Sequence, residues 1–204
     1  MPNTKSEQRK QLKAARNLLS IEERRINSEN IASRLFALPA WSIAQTVHCY
    51  CSFGAEVSTE DVVSRAFQDG KRVIVPITAE GASILHHREV FPETLFVPDA
   101  FGIPTPPHSE QDFVEPAQIL SSHDIILVPL LGFDDRCYRI GYGKGHYDRF
   151  LASVAGVPAF GLAFECQRVT RIITEPHDIP LWGVCTEAQF YRRSMETHDL
   201  KMPH

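Results

Sequence analysis

Apolar residues along this chain follow two rhythms. In the first third they recur at helical spacing: Leu12, Ala15 and Leu19 stripe residues 4–19, and Thr4 with Glu7 has the spacing of a capping box. Ser20 and Glu23 repeat that box ahead of Ile31, Leu35 and Leu38, which predicts a second helix stopped by Pro39. Ser58 opens a third, carrying Val62, Val63, Ala66 and Phe67 up to Gly70. The second rhythm is short and continuous. Residues 46–51, 73–75 (closed by Pro76), 125–128, 157–163 and 184–186 are apolar runs of the kind buried on both faces of a sheet. Residues 84–90 are too polar for a sheet centre and read as an edge strand. Residues 91–123 are proline-rich, and Pro104, Pro106 and Pro107 make an extended or turning segment. A helix through about Val154 and a short one near Gln167 complete the pattern, with a frayed tail after about residue 194.

Apolar strands alternating with helices predict an α/β fold, a three-layer α/β/α sandwich on a mainly parallel, Rossmann-like sheet. The 204 residues read as a single domain, with no internal repeat or linker. Hydrophobic content of 43% is enough for a core without covalent staples. A net charge of −4 without a basic run argues against nucleic acid or a membrane surface as partner. The five cysteines form no C-x-x-C pair, which argues against a zinc site or disulfide framework and for a reducing cytoplasm. The basic N-terminus has no apolar segment of a secretory signal.

The chemistry concentrates in residues 128–150, VPLLGFDDRCYRIGYGKGHYDRF. Glycines at 141, 143 and 145 let backbone N–H groups converge on one point, a nest for an anion, phosphate above all. Arg139, Lys144 and Arg149 surround it. Asp148 suits either a salt bridge or helix cap, or a magnesium ligand, since Mg²⁺ takes few protein carboxylates. Lys5 and Arg9 share a helix face that is either solvated or a polyphosphate clamp. Glu56, after a strand, is either a loop solvation group or an anchor for a polar ligand. No nucleophile–base pair and no H-x-x-x-H spacing presents itself.

Read together, these stretches resemble the 5-formyltetrahydrofolate cyclo-ligase (methenyltetrahydrofolate synthetase) family. The central match runs from Tyr138 to Arg149, YRIGYGKGHYDR. Lys5, Arg9, Tyr50, FGAEVST at 53–59, GKRV at 70–73, GLAF at 161–164, Gln167, EPHD at 175–178 and Thr186-Glu187 follow the same order. The resemblance implies ATP-dependent ring closure of 5-formyltetrahydrofolate to 5,10-methenyltetrahydrofolate, with Mg²⁺. It implies small-molecule substrates, folate in its polyglutamylated forms included, and a monomer or weak homodimer. By the same resemblance Lys5, Arg9, Arg139, Gly141, Tyr142, Gly143, Lys144 and Gly145 bind ATP. Cys51, Glu56, Lys144, Gly145, His146 and Tyr147 bind the folate, Asp148 holds the metal, and Arg139, Lys144 and Tyr147 serve catalysis. Three departures stand out. Trp182 replaces a usual aspartate, which puts a second metal ligand in doubt; Thr105 replaces a usual glutamate; Cys137 replaces a usual glycine. The first two leave open an alternative, a folate- or nucleotide-binding member with little turnover.

Overall fold

A computed structural model describes residues 4–77, 84–100 and 102–193. The helices are α1 (Lys5–Asn17), α2 (Ile21–Phe36), α3 (Pro39–Ile43), α4 (Glu60–Gln68), α5 (Pro116–Ile119) and α6 (His146–Ser153). The strands are β1 (Thr46–His48), β2 (Arg72–Ile77), β3 (His86–Val90), β4 (Val97–Pro98), β5 (Pro104–Thr105), β6 (Ile125–Pro129), β7 (Gly132–Phe133), β8 (Arg139–Ile140), β9 (Ala159–Leu162), β10 (Gly183–Cys185) and β11 (Phe190–Arg192). Seven strands form one sheet in the order β11-β10-β9-β6-β1-β2-β3. The five central strands are parallel, and β3 and β11 close the edges antiparallel. Both predicted capping boxes form: Thr4 and Ser20 accept from the backbone N–H of Glu7 and Glu23, whose carboxylates reach back to the cap.

The predicted α/β architecture holds, because strand β6 buries its two faces in two cores. Ile125 and Leu127 join α2, α3 and α4 residues on one face; Ile126 and Val128 join Phe150, Leu151 and Val154 of the α6 segment on the other. Helix α1 lies apart from both layers. Its Leu12 packs with Leu131, Ile140 and Ile172, and Gln8 ties it down through Arg171 and Ile173 of the chain's last third.

Several boundaries differ from the sequence reading. Pro39 starts α3 as its first residue rather than merely stopping α2, because a missing N–H costs nothing at that position. The run at 46–51 is a strand only to His48; Tyr50 and Cys51 belong to the loop beyond, so Cys49 is core and Cys51 lines a cleft. Strand β11 carries no continuous apolar run, so periodicity does not predict it. The hairpin β7–β8 is not predicted either, so the glycine loop follows it rather than β6 directly. Asp134 organises its turn, accepting from the N–H groups of Arg136, Tyr138 and Ile172. The tail after 194 lies outside the described residues. Among those described, no helix is long and apolar enough to cross a membrane.

Candidate active site

Strands β1 and β6 are neighbours whose onward connections run in opposite directions, β1 to β2 on one side and β6 to β9 on the other. The crevice beyond their carboxyl ends is the topological switch point, where ligands of open α/β sheets bind. A cleft of about 760 Å³ opens there. It is lined by the loop after β1 (Tyr50 to Glu56), by Pro129, by the glycine loop and the start of α6, by one face of α1, and by residues 175–178. Lys5, Arg9, Cys51, Glu56, Arg139, all of 141–148 and Arg149 line this one cleft. Residues up to 173 positions apart in the chain, Lys5 and Asp178, are thus brought to one cleft.

The glycine loop is rigidly specified at two of its three glycines. Gly143 (φ +98°) and Gly145 (φ +65°) adopt left-handed backbone that other residues resist, and Gly145 caps α6. Gly141 has neither a positive φ nor a neighbour where a Cβ would stand, so the strict need for glycine there is not borne out. Arg9 lies directly under the loop: its Nε donates to the Gly141 carbonyl at 3.0 Å, and a Cβ on Gly143 would sit 3.1 Å from its guanidinium carbon.

Arg139 is only 8% exposed. It donates to the Ile179 carbonyl at 2.6 Å and to Asp148 Oδ1 at 2.9 Å. Burial weakens its hold on the proton, and the Asp148 carboxylate opposes that loss. Asp148 also accepts from the Ile179 N–H. The salt-bridge reading of Asp148 is therefore realised, on the floor of the cleft. Lys5 meets two more carboxylates, Glu175 at 2.7 Å and Asp178 at 2.6 Å. Burial lowers its pKa, yet the bonds to Asp178 and Glu175 outweigh this and hold it up. Glu175, His177 and Asp178 form an oxygen-rich group able to hold a cation. In the sequence, residues 175–178 enter only as a motif of the resemblance, with no role assigned to Glu175 or Asp178.

Trp182 is 49% exposed and is not among the cleft residues. Two other carboxylates, Glu175 and Asp178, stand in the cleft, both paired with Lys5. Cys137 sits at φ +60°, the left-handed conformation that the usual glycine would take, so the turn before Arg139 is kept. Thr105 lines the cleft with its hydroxyl donated to the Ile103 carbonyl.

On the opposite wall, Glu56 Oε2 accepts from the Phe53 N–H at 3.1 Å, and Oε1 accepts from the Tyr142 hydroxyl at 2.9 Å. Burial pushes the Glu56 pKa up, against these bonds and the Arg16 charge. Cys51 is pushed up to about 12, by burial first and Glu56 second, which leaves no thiolate for nucleophilic work. Tyr147 is held well above its ordinary value by burial, and its hydroxyl is buried with no hydrogen-bond partner among the described residues. It is a neutral donor, not a base. Arg16 and Lys13 extend the cation line of α1 along the same wall. Neither was singled out from sequence, although Lys5, Arg9, Lys13 and Arg16 keep the helical spacing that would have placed them together.

Comparison with known proteins decides what this cleft belongs to. The profile described as the 5-formyltetrahydrofolate cyclo-ligase family matches residues 2–187. The chain belongs to that family. It is 28% identical over 183 residues to the 5-formyltetrahydrofolate cyclo-ligase of Escherichia coli K12, covering 88% of this chain and 98% of that one. It is 31% identical to that of Haemophilus influenzae over 145 residues, 69% and 75% of the two chains. Among solved structures, the Aquifex aeolicus 5,10-methenyltetrahydrofolate synthetase superposes with a TM-score of 0.77 at 34% identity, covering 97% of this chain and 99% of that one. The Mycoplasma pneumoniae 5,10-methenyltetrahydrofolate synthetase gives 0.70 at 25% identity, over 90% and 98%. In this member of the family, cations, carboxylates and a glycine loop converge at the switch point, which makes the cleft the candidate active site.

Proposed function

We propose that this protein converts 5-formyltetrahydrofolate and ATP to 5,10-methenyltetrahydrofolate, ADP and phosphate in the cleft between β1 and β6. The observation that carries the reading is the meeting of Arg9, Arg139, Lys5 and the glycine loop with Asp148, Asp178 and Glu56 in one cleft. A formamide carbonyl is a poor electrophile with a poor leaving oxygen. Transfer of the γ-phosphoryl group to that oxygen activates the carbon. The neighbouring amine nitrogen then adds to it, and inorganic phosphate departs with the formyl oxygen as the ring closes. This chemistry needs charge neutralisation and alignment rather than a protein nucleophile, consistent with an inert Cys51.

In this reading Lys5, Arg9 and the loop 141–145 cradle the phosphates, with Gly143 and Gly145 letting them approach the backbone. Arg139, held by Asp148, and Lys144 sit against the transferring group. Glu56 accepts hydrogen bonds from the pterin, with Cys51, His146 and Tyr147 packed around the folate. The buried Tyr147 hydroxyl is a donor waiting for an acceptor. Hard carboxylate oxygens from Asp178 and Glu175 suit magnesium better than softer metals, with Asp148 the further ligand that the resemblance implies, and Mg²⁺ there would neutralise phosphate charge. Lys5 takes the place of such a cation against two of them. All five cysteines are free, which agrees with work in a reducing cytoplasm. Trp182 lies outside the cleft and Thr105 keeps a polar hydroxyl in it, which favours turnover over the low-turnover alternative. Purified protein given ATP, Mg²⁺ and 5-formyltetrahydrofolate is expected to develop the near-ultraviolet absorbance of the methenyl product. Folate binding without absorbance or ADP would overturn the catalytic reading.

A further inference from the structure

Arg16 lies on α1, two turns beyond Arg9, and is only 4% exposed. No carboxylate among the described residues lies within ion-pair distance of it, and its Nε is buried without a partner. A buried guanidinium without a directly paired carboxylate is costly unless something takes its donors, and Glu56 acts on Arg16 only through space. One amino group does find an acceptor: it donates to the Tyr142 hydroxyl at 3.0 Å. That same hydroxyl donates to Glu56 Oε1 at 2.9 Å. A single oxygen thus accepts from Arg16 and donates to Glu56. It presents an acceptor and a donor side by side, the same pair that a ring amide presents through its C=O and adjacent N–H. Tyr142 is more than half exposed and flanked by Gly141 and Gly143. It can therefore leave without disturbing the core, whereas Arg16 and Glu56 are anchored on α1 and on the turn at Phe53.

We propose that Arg16 and Glu56 together read the pyrimidinone edge of the pterin, Arg16 donating to the ring carbonyl while Glu56 accepts from the ring N–H, and that the Tyr142 hydroxyl is a placeholder that the pterin displaces. The inference rests on the folate reading above and adds a specificity residue to it. Arg16 selects a ring carbonyl, because an amino group at that position would point hydrogens at a cation and leave the guanidinium without an acceptor.

The test is equilibrium binding in the absence of ATP, followed by calorimetry. The probes are 5-formyltetrahydrofolate and its analogue carrying an amino group in place of the ring carbonyl. Wild-type protein is expected to prefer the carbonyl compound. In Arg16→Met that preference should shrink by about tenfold or more, through weaker binding of the carbonyl compound, leaving only the part due to Glu56, whose ring N–H donor the amino compound also lacks. Should Arg16→Met fail to fold, Arg16→Lys, which keeps a donor and the charge, is expected to retain the preference. Tyr142→Phe, which removes the competing hydroxyl, is expected to bind the carbonyl compound at least as well as wild type. Undiminished discrimination in Arg16→Met, loss of discrimination in Arg16→Lys, or a tenfold weaker folate complex in Tyr142→Phe would each overturn the assignment. Wild-type protein that binds neither compound would instead defeat the folate reading itself.

Discussion

At the scale of single residues, the cleft rests on charges that are held rather than free. Arg139 is buried, and Asp148 is its only carboxylate partner within ion-pair distance among the described residues. Asp148→Asn is therefore expected to cost stability as well as turnover, in the range of roughly 3–5 kcal/mol for breaking a buried pair, lowered by the partial exposure of Asp148. Pairing it with Arg139→Met should recover most of that stability and none of the activity. Thermal melts and single-turnover rates check the two halves, and a double variant as unstable as Asp148→Asn alone would show that the pair is not the cause. The glycines separate in the same way. Gly143→Ala forces a side chain into left-handed backbone, at roughly 1–2 kcal/mol, and pushes on Arg9, so the KM for ATP should rise severalfold. Gly141→Ala should change it little. Equal effects in the two variants would count against the geometry of the nest. What sequence could read here was residue type and local spacing: Asp148, Lys5, Arg9 and the glycines all lie in the cleft. It could not read partners. The bond from Arg16 through Tyr142 to Glu56 spans three separate segments, and nothing in any one of them announces the other two.

At the scale of elements, the helices and central strands were legible because capping boxes and continuous apolar runs are local signals. The antiparallel edge β11 and the hairpin β7–β8 were not, since their pairing is dictated by tertiary neighbours rather than by periodicity. A second non-local feature sits where β1 and β3 meet α6. His48 Nε2 and His87 Nδ1 are 3.0 Å apart, and both rings pack on Phe150. Burial, followed by the charge of His86, holds His87 at about 4 instead of its ordinary 6.5. Burial, and then His87, pushes His48 well down. Both rings are therefore neutral in the fold at a pH where the unfolded chain would protonate them. The unfolded state takes up more protons, so stability falls as pH drops from about 6.5 toward 4, by roughly 3 kcal/mol for His87 alone. Melting temperatures across that window should fall, and replacing both histidines by leucine should flatten the trend. An unchanged slope in that variant would show that other groups set the acid limit.

At the scale of the whole molecule, the fold explains why one cleft can serve two substrates. The sheet's switch point supplies the crevice, α1 crosses it as a wall of cations, and the segment from β8 to α6 supplies the loop, the buried Arg139 and Asp148. Residues 175–178 were visible in sequence as a motif, but not that they would close one side of the same cleft against Lys5. The central claim is that the formyl oxygen is phosphorylated within this cleft before the ring closes. Isotope transfer tests it most directly. With 5-formyltetrahydrofolate carrying oxygen-18 in the formyl group, the account predicts that each turnover places the label in inorganic phosphate, one labelled oxygen per methenyl product. Unlabelled phosphate, with the heavy oxygen released to water, would contradict it.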